Sequence, residues 1–325
     1  MLQILFWILK FIVKSVGTVG FIRLADYLRK QMIIRTAPEK NLLIKYSSEI
    51  NRFTSYALIT GSTAGIGLEF GKRLAKAGFN LICISRSQEK LKQAEKEIRD
   101  YAIPENQQDK FKVVNIVRDF KESHKPNFFE ELDEELKVYP IKILVNNVGF
   151  LSSVKKDDFS RPEYQEVIDL MNVNVISFMG LSKTLIPRMV NQRNEHGKGA
   201  VVFVSSMSAS KFEPEDFVYG AAKKLMANMA LVYAKKFHEK IDVLDLRPGW
   251  VLSNMTKEFE DKIPDMVEAD DCVGSALNVI DDGITTSGSH KQLNRLAKID
   301  FISWFVPMEW QVEEIWKRFG SIFDL

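Results

Sequence analysis

Tyr219 and Lys223 stand four residues apart in the run Tyr219-Gly-Ala-Ala-Lys223, a spacing that on a helix places the phenol and the ammonium one turn apart on the same face. An unperturbed tyrosine holds its proton up to a pKa of about 10, so a neighbouring cation that favours the phenolate makes it a proton donor usable near neutrality. Hydride addition to a ketone calls for such a group, because the oxygen becomes alkoxide-like and needs a proton and hydrogen-bond donors. Taken singly, a tyrosine and a lysine at this spacing are usually structural. What precedes them in the chain decides between the two readings.

The segment from Tyr56 to Gly67 reads Tyr-Ala-Leu-Ile-Thr-Gly-Ser-Thr-Ala-Gly-Ile-Gly, a strand, a tight turn and the start of a helix. Glycine permits unusual backbone angles and close approach, and a helix N-terminus presents free N–H groups to a pyrophosphate. The loop Gly61, Thr63, Gly65, Ile66 and Gly67 is therefore a candidate cofactor cradle, spaced GxxxGxG rather than GxGxxG. The next strand ends Ile84-Ser85-Arg86-Ser87, where an NAD enzyme would place a carboxylate for the ribose 2′-hydroxyl. Ser85 followed by the guanidinium of Arg86 suits a 2′-phosphate instead, which favours NADP(H). Asp119, after the third strand, is placed either to accept from an adenine amino group or to cap a helix.

The elements that must position these residues follow an alternating rhythm. Apolar, β-branched runs over Tyr56–Thr60, Asn80–Ser85, Lys112–Val117, Ile141–Asn146, Ala200–Ser205 and Ile241–Leu246 alternate with amphipathic stretches long enough for helices. Such a pattern predicts an α/β fold with a doubly wound parallel sheet of the Rossmann type, covered on both faces. The charged runs Glu89–Arg99 and Glu130–Lys137 read as solvated faces of crossover helices.

At this point Asn146-Asn147-Val148-Gly149, Asn174, Ser206 and Tyr219-to-Lys223 fall in order behind the glycine loop. The set resembles the short-chain dehydrogenase/reductase family, with its TGxxxGxG, NNAG, Asn, Ser and YxxxK motifs, over roughly Ser55 to Gly283. The resemblance implies that Ser206, thirteen residues before Tyr219, steadies the substrate oxygen, and that Lys223 also holds the nicotinamide ribose. It implies that Asn174 holds a water in a proton relay behind Lys223, that Asn146 lies against the cofactor, and that Val251 and Ser253, after Arg247-Pro248-Gly249, contact its nicotinamide end. Relatives often pair through the helices holding Asn174 and Tyr219, which points by analogy to a homo-oligomer.

The apolar N-terminus, Ile84-Ser-Arg-Ser and Pro140-to-Gly149 narrow the resemblance to membrane-bound very-long-chain 3-oxoacyl-CoA reductases and microsomal 17β-hydroxysteroid dehydrogenases. That implies NADPH-dependent reduction of a ketone on a lipid, a 3-oxoacyl-CoA or a steroid, at the endoplasmic reticulum membrane with the catalytic domain facing the cytosol; a mitochondrial or cytosolic setting is the alternative. Two departures stand against it: the chain ends Ser-Ile-Phe-Asp-Leu without a dilysine signal, and Arg247-Pro248-Gly249 looks like the general family. A catalytically idle binding protein and a reductase of small carbonyls are the competing functions. Phe150, Met207, Phe212 and Trp250 are candidates to line a lipid pocket.

Residues 1–35 form an apolar segment with a basic flank. Gln3, Lys10 and Lys14 share a narrow helical stripe, so the segment is read as spanning a bilayer or lying in its interface, with a buried packing helix or a mitochondrial targeting segment as the alternatives. Residues 36–52 read as a connector, 53–285 as the cofactor-binding domain, and 286–325 as an extension rich in aromatic residues. With 45 Lys+Arg against 43 Asp+Glu the formal charge is only +2, which argues against a nucleic-acid partner. Cys83 and Cys272 fit no metal-ligand spacing, so no metal is expected and both thiols read as reduced and structural.

Overall fold

The computed structural model describes residues 51–151, 164–191, 197–210, 217–257, 263, 266–282, 285–289 and 291–296, and within the first 47 residues 17–18, 20–22, 24–30, 32–33, 35–36 and 38–47. Seven strands build the sheet: β1 (Tyr56–Thr60), β2 (Asn80–Ser85), β3 (Val113–Val117), β4 (Ile141–Asn146), β5 (Gly199–Val204), β6 (Ile241–Leu246) and β7 (Thr285–Thr286). Their spatial order is β3-β2-β1-β4-β5-β6-β7, and every pairing is parallel. The order reverses direction beside β1, the topological switch point at which open α/β sheets bind ligands beyond their carboxyl ends.

The strands β1, β4, β5 and β6 are buried along their whole length because helices cover both faces. Ala57, Ile59, Leu81, Ile143, Val202 and Leu244 pack against Phe70 and Leu74 of the helix Gly65–Ala77, Leu91 and Ile98 of Gln88–Ala102, and Val273 of Ala269–Asn278. Their neighbours Leu58, Ile82, Leu144, Val201 and Phe203 face the other way, onto Leu132 of Phe128–Leu136, Phe178 and Leu185 of Ser177–Asn191, and Met226 of Phe217–Phe237. This division follows directly from the period-two alternation of a strand. The charged runs at 89–99 and 130–137 fall on the outer faces of two of these helices, whose inner faces bury Leu91, Ala94 and Ile98, and Phe128, Leu132 and Leu136.

One strand lies beyond the rhythm read from the sequence, which stops near Gly283. β7 is only two residues, Thr285 and Thr286, paired with Asp245 and Leu246. Nothing apolar announces it; its place is fixed by the pairing edge that β6 leaves open.

The connector is fastened to the body. Its helix, Leu42–Tyr46, is capped by the Asn41 side chain, and the Tyr46 hydroxyl donates to Asp242 at 2.9 Å at the start of β6. Lys40 and Lys45 pair with Asp281, and Lys198 reaches Asp242 from the other side at 3.2 Å. Farther upstream the Tyr27 hydroxyl donates to Asn294 at 2.6 Å. Among the described residues no helix is long and apolar enough to cross a membrane. Residues 1–16 of the expected anchor, and the aromatic tail from Ile299 onward, lie outside the described residues. Cys83 and Cys272 are both free and buried, and burial pushes each thiol up to about 12.

Candidate active site

The glycine turn joins β1 to the helix Gly65–Ala77, whose N-cap, Ala64, supplies no side-chain hydrogen bond to the first amides. Those N–H groups are therefore left for a bound anion. Gly67 cannot be replaced without moving the loop, since a Cβ there would stand 2.3 Å from the Gly61 carbonyl oxygen and 2.5 Å from the Asn147 amide nitrogen. At Gly65 the backbone is left-handed, at φ +52°, and a Cβ would meet that of Ser253 at 2.9 Å. The segment after Pro248-Gly249 thus closes against the glycine turn, with Ser253 beside Gly65 and Val251 buried in the core. Ile66 packs at the edge of the core beneath it.

At the carboxyl end of β2 the Thr63 and Ser85 hydroxyls lie 3.4 Å apart. The next residue, Arg86, is exposed and makes no ion pair with the described residues, leaving its guanidinium available to a 2′-phosphate. Asp119 realises the cap reading: its Oδ1 accepts from the Lys121 N–H at 3.0 Å and starts a short 3-10 turn. A carboxylate has a second oxygen, so the cap does not consume its capacity to accept from an adenine amino group.

The reacting group is assembled from four elements. Lys223 lies on the helix Phe217–Phe237, is 3% exposed, and donates to the Val204 carbonyl at 3.0 Å. Its Nζ sits 5.5 Å from the centroid of the Tyr219 ring. Burial without a paired carboxylate lowers its pKa to about 8, since the charged form loses its hydration. Gly149 runs between this lysine and Asn174: a Cβ on it would lie 3.3 Å from Asn174 Oδ1 and 3.4 Å from Lys223 Nζ.

Asn174 is completely buried and sits in a π-helical turn, Asn172–Ile176, inserted between the helices Tyr164–Met171 and Ser177–Asn191. Its Oδ1 accepts from the Phe150 N–H at 3.0 Å, and its amide donates back to the Phe150 carbonyl at 2.5 Å. π-turns inside α-helices recur at functional sites because the extra residue re-aims a side chain. Ser206 follows β5 in extended backbone, and its hydroxyl accepts from the Ser208 N–H at 3.1 Å as the cap of the turn Met207–Ala209. Gly220, next to Tyr219, packs on the same turn, with a Cβ position 3.3 Å from the Ser208 carbonyl oxygen.

Beside the Pro248-Gly249 turn a cleft of about 240 Å³ opens, lined by Gly249, Trp250, Lys291, Gln292, Asn294 and Arg295. Of the four pocket candidates, Trp250 is in this lining, Met207 is buried in the core beneath Gly249, Phe150 packs half-buried against the opposite core, and Phe212 lies outside the described residues.

Asn146 and its neighbour Asn147 have different surroundings. The Asn146 side chain turns towards Ser182 at 3.4 Å, and its Oδ1 is buried with no protein partner. Asn147 ties the glycine turn instead: its amide donates to the carbonyls of Thr60 at 2.8 Å and Gly61 at 3.2 Å, while its own N–H and that of Val148 donate to Thr60 Oγ1 at 3.0 Å. Both asparagines were visible as a pair, but only geometry separates their tasks. Gln292, which accepts from the Gly249 N–H and donates to the Trp250 carbonyl, has no sequence signal, because it comes from beyond the repeating pattern.

A cradle that a single Cβ would fill, an uncapped helix N-terminus, a free guanidinium at the end of β2 and an orphaned buried amide oxygen together fit a phosphorylated dinucleotide. Residues 55–264 match the family model described as short chain dehydrogenase. The chain is 36% identical over 207 residues to hydroxysteroid dehydrogenase-like protein 1 of Gallus gallus, covering 63% of this chain and 58% of that protein. It is 30% identical over 206 residues to the very-long-chain 3-oxoacyl-CoA reductase of Schizosaccharomyces pombe, covering 62% and 58%. It is likewise 30% identical over 208 residues to the inactive hydroxysteroid dehydrogenase-like protein 1 of Homo sapiens, covering 64% and 59%. The matches therefore span less than two thirds of these relatives. Among solved structures, a short-chain dehydrogenase from Sphingobium yanoikuyae in complex with NADPH superposes with a TM-score of 0.61 at 22% identity, covering 71% of this chain and 86% of that one.

Proposed function

The chain belongs to the short-chain dehydrogenase/reductase family, and from that premise we propose that it reduces a ketone on a lipid substrate with NADPH, Tyr219 giving the proton. The observation that carries this reading is the convergence of Tyr219, Lys223, Gly149 and Asn174 described above, because it gathers three separate stretches of sequence at the carboxyl end of the sheet. NADPH, when bound, supplies the hydride.

The protein's own groups do the rest. Ser206 and Tyr219 donate hydrogen bonds to the ketone oxygen, where negative charge develops, and the Tyr219 phenol passes its proton to that oxygen. Lys223, charged below its lowered pKa of about 8, stabilises the phenolate left behind and holds the nicotinamide ribose. Asn174 fixes the backbone at Phe150 and orients a water by which Lys223 is connected to solvent. Gly61, Thr63, Gly65, Ile66, Gly67 and Asn146 hold the pyrophosphate and its ribose, Ser85 and Arg86 the 2′-phosphate, Asp119 the adenine, and Val251 and Ser253 the nicotinamide end.

The lipid substrate is supported by relatives named for very-long-chain 3-oxoacyl-CoA and hydroxysteroid chemistry. An endoplasmic reticulum membrane, reached through residues 1–35 with the catalytic domain in the cytosol, is the setting that the resemblance implies, and the apolar composition of that segment supports it. The test is a panel of the full chain with NADPH and with NADH, against a long-chain 3-oxoacyl-CoA and a 17-ketosteroid. Turnover with NADPH that is abolished in Tyr219→Phe is the expected result; failure on both lipids, or undiminished turnover in Tyr219→Phe, overturns the reading.

A second reading is favoured by one observation, the human relative named inactive: a protein that keeps the fold to bind cofactor or lipid. Ser206, Tyr219 and Lys223 are all present here, which supports catalysis. NADPH binding without turnover on any carbonyl distinguishes the two.

A further inference from the structure

Behind Ser206 lies a buried ion pair that the reaction described above does not use. Asp245, on β6, is 3% exposed and Arg247, two residues on, is 8% exposed; Arg247 Nε donates to Asp245 Oδ2 at 2.6 Å. A buried pair of this kind is weak evidence for stability, because desolvation offsets most of the Coulombic attraction. Its other partners therefore carry more information.

The Ser205 hydroxyl donates to Asp245 Oδ1 at 2.6 Å, and Arg247 Nη1 donates to the Ser210 hydroxyl at 2.8 Å. Ser205 is the residue immediately before Ser206. Ser210 is the C-cap of the short turn Met207–Ala209 that Ser206 begins. The pair thus grips the catalytic loop on both sides, at the residue that enters it and the residue that leaves it. Backbone bonds run in parallel: the Ser205 N–H donates to the Leu246 carbonyl at 2.8 Å, the Met207 N–H to the Pro248 carbonyl at 2.9 Å, and the Arg247 N–H to the Thr286 carbonyl at 2.7 Å. The Thr285 hydroxyl adds a longer contact of 3.4 Å to Asp245 Oδ2.

We propose that Asp245 and Arg247 are positioning residues that set where the Ser206 hydroxyl stands, by holding Ser205 and Ser210 in one rigid frame with the Pro248-Gly249 turn. The proposal rests on the role given to Ser206 above. Arginine suits the task because its planar fork reaches two acceptors at a fixed angle, whereas a lysine in its place keeps the charge beside Asp245 and loses Ser210. The frame also explains why the guanidinium is inside at all: it joins the loop that presents the substrate-oxygen donor to the loop that closes on the glycine turn.

The test is a double-mutant cycle on the full chain with NADPH and whichever of a long-chain 3-oxoacyl-CoA or a 17-ketosteroid the wild type reduces. Arg247→Lys is expected to lower kcat about tenfold or more while KM and NADPH affinity stay within about twofold, and the double variant with Ser206→Ala is expected to be no slower than Ser206→Ala alone, since residues acting through one group are non-additive. Ser210→Ala, which removes the far partner of Arg247, is expected to give a smaller loss with the same non-additivity, and it serves if Arg247→Lys does not fold. Losses that multiply in both cycles overturn the proposal and leave Ser206 in its role, as does an unchanged kcat in both variants when Ser206→Ala is impaired. Unimpaired turnover in Ser206→Ala overturns the role of Ser206 itself, and the proposal with it.

Discussion

Lys223 Nζ lies 5.5 Å from the centre of the Tyr219 ring while donating to the Val204 carbonyl, so its charge is held beside the phenol by a backbone group rather than by a carboxylate. The amine is pressed down to about 8 by burial. Reduction is expected to weaken as pH rises through about 8, with kcat/KM falling towards tenfold per unit as the cation is lost. A pH profile flat to pH 10 would show that the lysine stays charged or plays no electrostatic part. The sign for stability is opposite. The fold prefers the neutral amine, so this residue's contribution improves as pH climbs from about 8 towards the unfolded value of 10.5.

Gly67→Ala should damage cofactor binding more than folding. The added carbon must push aside the Gly61 carbonyl or the Asn147 amide, an overpacking cost of about 1–3 kcal/mol, and either movement distorts the phosphate cradle. Titration of NADPH by fluorescence is expected to show at least about a tenfold loss of affinity, the equivalent of 1.4 kcal/mol. Wild-type affinity in a folded variant would mean that the cradle lies elsewhere.

Asn147→Asp removes the two donated hydrogen bonds to Thr60 and Gly61 and sets a carboxylate against two carbonyl oxygens. Leaving buried acceptors unpaired costs about 1–3 kcal/mol, which should lower the denaturation midpoint and weaken NADPH together. For Asn146→Ala, which loses a 3.4 Å contact to Ser182, a smaller stability loss is expected in the same denaturation assay.

Arg86→Ala is expected to leave NADH turnover nearly unchanged and to reduce the NADPH-to-NADH ratio of kcat/KM by about tenfold or more, the scale of one charge-assisted bidentate contact. A ratio that does not move removes Arg86 from the cofactor site. Arg86 is exposed and pairs with no carboxylate among the described residues, so the variant is expected to keep its fold, which circular dichroism checks.

The sheet was legible because its strands are covered on both faces: Leu58 and Ile59 are both fully buried, and such runs stand out in any window. The two threonines of β7 carry no comparable signal, since their pairing is dictated by β6 and not by their own side chains. Similarly, the spacing of Tyr219 and Lys223 survives into the structure unchanged because a regular helix preserves it. Asn174 was found only through the order of the motifs. Nothing in Asn172-Val-Asn-Val-Ile announces that the helix widens there, because a π-turn is imposed by what surrounds it. Asp245 and Arg247 carry no such signal, because their inward direction depends on Ser205 and Ser210, which come from outside their own strand.

That widened turn sets catalysis and helix regularity against each other. Because five residues occupy the π-helical turn at Asn172–Ile176, deleting any one of them would let the backbone relax into an uninterrupted α-helix, with shorter and better aligned hydrogen bonds. A deletion there that spares Asn174 would shift its place in the turn and take its amide off Phe150. Under the role proposed for Asn174, a one-residue deletion in this turn is expected to abolish turnover while the fold and NADPH binding persist, which a kinetic assay beside a binding titration checks.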